Sequence, residues 1–277
     1  MARKSTVDPV PAVTARLAAA AKYRDVHQDT IAEVVRRESA ATTDPAELER
    51  LSRARLHKVA ALHLLTTRPA ALRRAVEQVD PADPAALRAW CREMLAGHVS
   101  TAERLPDLDR FYPTVFELVP QPRTVIDVAC ALNVFTLPWL REVTAAGYTG
   151  YDLNAAFVAA GNAFLTRFFP ESKVVHDDVL TTPPPRADLA LLLKTYHCIE
   201  DRRRGAGLAL VDGLAASHVV VSFPTRAMNG RAAVFARRHV EALGELAQQR
   251  KWRCTTAELP SEQLVAIAKG VSDGDIS

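Results

Sequence analysis

From residue 124 onward the chain reads as short apolar, β-branched runs separated mostly by longer amphipathic stretches, but its last two runs have only Leu259-Pro260-Ser261-Glu262 between them. The candidate strands are 124–129, 148–153, 173–176, 187–194, 218–223, 252–258 and 264–268. Helical spacing fills 133–145, 154–169, 198–215 and 231–249. Strands joined by crossovers run parallel, whereas so short a link forces the final pair to turn back antiparallel. This order predicts an α/β fold: a doubly wound sheet finished by an antiparallel hairpin.

Before residue 120 no strand-like alternation occurs. Residues 10–23, 30–39, 45–65, 69–79 and 84–95 carry apolar side chains at three- and four-residue spacing, so each is expected to be a helix. Asp44-Pro45 and Asp83-Pro84 have the form of an N-cap followed by a first-turn proline. The expected division is a helical N-terminal region over 1–115 and an α/β domain over 116–277.

Composition excludes several classes. With 48% apolar and 24% charged residues the chain is neither disordered nor membrane-spanning, and no apolar run approaches 18 residues. Cys91, Cys130, Cys198 and Cys254 lack the close pairing of a zinc site or a disulfide framework, so no metal is expected. No secretory leader is recognised at the start, which makes the cytoplasm the expected compartment. The net charge of +3 permits a nucleic-acid partner without requiring one.

Ligands of open α/β sheets sit beyond the carboxyl ends of the strands, and Asp127, Asp152 and Asp178 fall at three successive strand ends. Each alone reads equally as a helix cap; together they outline a nucleotide-like site. Asp152 is placed to hold two ribose hydroxyls, and Asp178 with the Val179 backbone to meet an adenine edge. The GxGxxG fingerprint of NAD sites is missing, so S-adenosylmethionine fits the spacing better. Upstream, Ser100 or Thr101 with Glu103 has the form of a capping box, but a guanidinium at Arg104 is also suited to fork onto a carboxylate. Cys130 and Cys198 read as buried, inert thiols, and His197 as a helix cap or a base contact. Arg202-Arg203-Arg204 and the later Arg226, Arg231, Arg237, Arg238, Arg250, Lys251 and Arg253 form either a solvated face or a set of phosphate contacts. In the N-terminal half Arg36, Arg37, Arg50, Arg53, Arg55, Lys58, Arg73 and Arg74 outline a second patch, balanced by many glutamates.

Four blocks carry a specific resemblance. HVSTAERLPDLDRFY (98–112) resembles the HxST-x-ERLP-x-LD-x-FY segment of the aminoglycoside-resistance 16S rRNA methyltransferases, the Arm group. The strand and turn at Asp127–Asn133, LLLKTYHCIE (191–200) and VVSFPTR (220–226) are similar to further elements of that family in the same order. The resemblance implies a class I methyltransferase with a seven-stranded Rossmann-like sheet. Its reaction is transfer of a methyl group from S-adenosylmethionine to N7 of guanine 1405 in the 30S decoding site, conferring aminoglycoside resistance. Arg104, with His98 or Thr101, would bind the methionine carboxylate and Asp127 the amino group. Asp152 would take the ribose and Asp178 the adenine, with Ala129, Ala131, Asn133, Leu153, Val179 and Leu193 completing the cofactor pocket. Lys194 and Arg226 would border the target base. The partner would be 16S rRNA within the 30S subunit, met by a monomer through its helical region, with no membrane involved.

The departures fall at informative places. The family's Cys-Gly-Leu-Asn-Pro is here Cys130-Ala131-Leu132-Asn133-Val134, and its Pro-Cys-Leu-Glu is His197-Cys198-Ile199-Glu200. Its Ser-Leu-Gly-x-Arg pattern becomes Ala227-Met228-Asn229-Gly230-Arg231. If φ at Ala131 is positive, the methyl costs on the order of 1 kcal/mol; if it is negative, only bulk matters. A catalytically degenerate homologue that binds rRNA without methyl transfer is therefore the alternative reading.

Overall fold

The computed structural model describes residues 8–60, 69–79, 83–225 and 230–270. Three helices open it: α1 (Val10–Ala19), α2 (Gln28–Glu38) and α3 (Pro45–Ala60). In α2, Ile31, Val34 and Val35 recur on one face and meet Val13, Leu17, Leu48 and Leu56 in a small core of their own. The expected helix over 45–65 is described to residue 60, and its remainder lies outside the described residues.

The next helices belong to a different core. α4 (Pro69–Val76), α5 (Pro84–Leu95), α6 (Val99–Arg104) and α7 (Leu108–Leu118) precede the sheet. Asp83 caps α5 by accepting from the Ala85 and Ala86 amides, as its Asp-Pro start predicts. Leu87, Cys91, Leu95, Phe111 and Val115 from these helices are buried with Val125, Leu189 and Leu191 of the sheet.

Seven strands form one sheet in the order β3-β2-β1-β4-β5-β7-β6. They are β1 (Thr124–Val128), β2 (Gly147–Asp152), β3 (Lys173–His176), β4 (Ala187–Leu193), β5 (Ala216–Pro224), β6 (Arg253–Glu258) and β7 (Glu262–Ala268). The first five run parallel to one another; β7 inserts antiparallel between β5 and β6. Reciprocal bonds between Leu259 and Glu262 close the β6–β7 turn. Along β4, Leu189, Leu191 and Leu193 face one core while Ala190 and Leu192 face the other, the period of two expected of a strand covered on both sides.

On one face α8 (Leu137–Val143) and α9 (Ala155–Phe168) join α5 and α7. The other face is covered by α10 (Tyr196–Arg202), α11 (Ala206–Gly213) and α12 (Gly230–Arg250). The single helix expected over 198–215 is two, because Gly205 takes φ +80° between them. Likewise the helix expected from 133 begins as a tight 3-10 segment, Ala131–Thr136, before α8.

The N-terminal helices touch the sheet domain beside the carboxyl end of β2. Val26 forms an antiparallel bridge with Asn154, the His27 amide donates to the Leu153 carbonyl at 2.8 Å, and the Ala155 amide donates to the Asp25 backbone carbonyl at 2.7 Å. Among the described residues, no helix is long and apolar enough to cross a membrane.

Candidate active site

The parallel strands end beneath a cavity of about 600 Å³, a volume suited to an adenosyl-sized ligand. Every described residue assigned to the cofactor from the sequence lies on its wall, as does Lys194. Arg226, expected beside the target base, lies outside the described residues.

The turn after β1 is backbone-strained. Ala129 and Ala131 adopt φ of +53° and +42°, a region that costs an L-residue roughly 1–2 kcal/mol. The conformation is held in place: Cys130 donates its amide to the Tyr151 carbonyl at 3.0 Å, and Ala131 donates to Asp152 Oδ2 at 2.9 Å. Of the two prospects for Ala131, the positive φ is the one realised.

Asp152 also accepts the Asn154 amide, through Oδ1 at 2.8 Å. An ionised carboxylate offers about four lone-pair sites, so each oxygen keeps one for a ribose hydroxyl. Burial pushes Asp152 up to about 6, against the pull of the two amides.

Asp127 is fully buried at the end of β1. Its Oδ2 accepts Asn133 Nδ2 at 2.7 Å and the Tyr148 hydroxyl at 2.8 Å, while Oδ1 has no hydrogen-bond partner. Burial raises this carboxyl to about 6 as well, the Asn133 and Tyr148 bonds opposing the rise. A buried, unsatisfied carboxylate oxygen on a cavity wall is costly until a donor reaches it. An α-ammonium supplies that donor, so the residues present fit S-adenosylmethionine.

Arg104 is buried and stacked with its Cζ 4.2 Å from the Phe111 ring centroid. Nη1 donates to Asn133 Oδ1 at 2.6 Å, while Nε and Nη2 fork onto Glu262 at 2.6 and 2.9 Å. Three of five donors are thus engaged, and two remain. The capping box does not form. His98 occupies the N-cap without a side-chain cap bond, Thr101 donates to the Leu95 and His98 carbonyls, and Glu103 accepts from Lys194 Nζ at 2.8 Å. Lys194 takes φ +54°, and its buried ammonium also lies 3.5 Å from Glu262.

Asp178 faces the helical region. Its Oδ2 accepts from Thr30 of α2 at 2.6 Å and pairs with Arg202 at 2.6 Å, and Oδ1 accepts the Leu180 amide at 3.0 Å. Burial would raise its pKa, but Arg202 and Thr30 outweigh it and hold the carboxyl below the usual range. Arg202 forks further onto Glu33 of α2, and its carbonyl accepts from Arg37. This corrects one sequence expectation. Of the three consecutive arginines read as a solvated face or as phosphate contacts, Arg202 is an internal ion-pair partner; only Arg203 and Arg204 are exposed.

The thiols are inert. Burial lifts Cys130 well above its ordinary value and Cys198 to about 11, so neither is a thiolate at neutral pH. His197 Nε2 lies 3.3 Å from Cys198 Sγ.

Two contributors, Glu262 and Tyr148, escaped the sequence reading. Glu262 is an isolated acid at the start of an apolar strand, 158 positions from the arginine it binds, and no local pattern marks it. Tyr148 begins a strand whose inward face is otherwise unremarked. Arg55 and Lys58, read from the sequence only as members of a basic patch, bring α3 with Val59 to the cavity wall, which helical periodicity alone does not indicate.

A 3-2-1-4-5-7-6 sheet with a reversed seventh strand, acids ending β1 and β2, and a nucleoside-sized cavity over them define a class I methyltransferase. Residues 19–267 match the family described as ribosomal RNA methyltransferase (FmrO), and the chain belongs to that family of rRNA-methylating enzymes. It is 31% identical over 277 residues to a 16S rRNA (guanine(1405)-N(7))-methyltransferase of Micromonospora echinospora, covering 97% of this chain and 100% of that one. An rRNA methylase from Escherichia coli superposes with TM-score 0.73 at 27% identity, over 94% of this chain and 100% of the other. The 16S rRNA methyltransferase RmtF, solved with S-adenosylhomocysteine, shares the fold with TM-score 0.75 at 24% identity, over 95% and 99% of the two chains.

Proposed function

We propose that this enzyme methylates N7 of guanine 1405 in 16S rRNA of the assembled 30S subunit, using S-adenosylmethionine, and so protects the ribosome from aminoglycosides. One observation carries the RNA assignment: α3 of the basic helical region forms part of the cofactor cavity's own wall, through Arg55 and Lys58. A docking element that borders the reaction cavity suits a substrate much larger than the pocket. The relatives' activity on guanine 1405 agrees with it.

S-adenosylmethionine supplies an electrophilic methyl group, which the free N7 lone pair of guanine attacks without prior deprotonation. Accordingly the chain needs no general base, and its task is alignment. Asp127 Oδ1 meets the ammonium, the two remaining donors of Arg104 meet the carboxylate, and Asp152 meets the ribose. Lys194, held by Glu103, together with Arg226, borders the extruded guanine. A base inside a ribosomal helix must be flipped out, which residues 1–115 assist by docking on the folded RNA.

The test is methylation of purified 30S subunits with labelled S-adenosylmethionine, beside protein-free 16S rRNA. Label on 30S and much less on free rRNA is expected. Label on neither, with cofactor binding intact, favours the degenerate reading that strained Ala131 motivates.

A further inference from the structure

Glu262 opens β7 opposite Pro224 of β5, completely buried. It is the hub of a continuous chain of charged and polar contacts. Glu103 holds Lys194; Lys194 lies against Glu262; Glu262 grips the Nε/Nη2 edge of Arg104; Arg104 reaches Asn133; and Asn133 donates to Asp127. A buried guanidinium with one edge taken has its plane fixed, and here the Phe111 ring fixes the face as well. What remains for the cavity is two N–H donors on a group that cannot swing.

We infer that Glu262 is a positioning residue for methyl-donor binding: it orients Arg104 for the carboxylate of the donor's methionine moiety and couples that grip to Lys194. The inference rests on Arg104 being the carboxylate-binding residue. The geometry favours this role over a merely structural ion pair. A structural pair is complete in itself, whereas this arginine retains free donors on the wall of the cavity and lies one residue removed from the unsatisfied Asp127 oxygen, through Asn133.

The prediction separates two ligands. S-adenosylhomocysteine carries the amino-acid moiety; 5′-methylthioadenosine has the same nucleoside and lacks it. In calorimetric titrations, Glu262→Gln is expected to weaken S-adenosylhomocysteine about tenfold or more while leaving 5′-methylthioadenosine within about twofold. Glu262→Asp keeps the charge and shortens the reach, so it guards against misfolding, and it should show the same split. Parallel loss of both ligands would mean a role in the fold only, and unchanged S-adenosylhomocysteine affinity would mean no role; either overturns the inference. If the unmodified protein itself binds both ligands equally, the carboxylate assignment of Arg104 fails first, independently of Glu262.

Discussion

The Ala131 amide donates to the Asp152 carboxylate at 2.9 Å while Ala131 holds φ at +42°. The acid that ends β2 thus stabilises the turn that ends β1, and a residue disfavoured in that turn is retained there. The missing glycine leaves the cavity open; its consequence is strain rather than closure.

Replacing Ala131 by glycine therefore has a defined sign. Relief of the left-handed strain, partly offset by the greater freedom of glycine in the unfolded chain, should raise stability by roughly 0.5 kcal/mol. S-adenosylhomocysteine affinity should rise or hold. Denaturant melts of both proteins check this, and a clear loss of stability would show that the methyl is packed rather than merely tolerated.

Asp127 and Asp152 give the protein a pH signature near 6. Both folded-state pKa values lie above the ordinary carboxylate value. Above about pH 6 both groups are ionised folded or unfolded, and folding bears their full desolvation cost. As pH falls from about 6 toward the ordinary aspartate value of 3.8, the folded state takes up protons that the unfolded chain does not, so these two groups add stability. Ligand binding has the opposite sign, because an ammonium requires ionised Asp127. Affinity for S-adenosylhomocysteine should fall below pH 6, and binding at that pH should release a fraction of a proton. Calorimetry in buffers of different ionisation enthalpy measures that proton; binding without proton release would contradict the Asp127 assignment.

Arg202 should matter for stability out of proportion to an ordinary arginine. Replacing it with methionine leaves Asp178 buried beside Glu33 without their shared cation, at a cost of about 3 kcal/mol. Because both acids meet α2 or belong to it, limited proteolysis should then release the first three helices faster. A variant with an unchanged melt and unchanged cleavage would show the network to be dispensable.

Much of the fold is readable in the sequence because it rests on local signals. The strand periodicity, the Asp83-Pro84 cap and the tight turn leading into β7 each act over a few residues, and all three appear in the structure. The candidate site is legible at Asp127 and Asp152 for a related reason: strand ends declare themselves. Glu262, Thr30 and Glu33 do not, because their meaning depends on partners more than a hundred positions away. The triple arginine misled on Arg202 because that residue ends α10 turned toward Asp178 and Glu33, whereas the chain leaves the helix at Arg203.

Arg203 and Arg204 remain exposed beside α10. Reversing both charges to glutamate should lower affinity for 30S subunits on the order of tenfold and flatten its salt dependence, while cofactor affinity stays unchanged. Filter binding across a salt series reads the outcome; an unaltered slope would place the RNA elsewhere.

The most direct test of the central claim is to treat 30S subunits with the protein and S-adenosylmethionine, cleave the extracted 16S rRNA chemically at N7-methylguanine, and map the break by primer extension. The account predicts one new, donor-dependent stop at guanine 1405. A stop at another nucleotide, or none from protein that binds the donor, contradicts it.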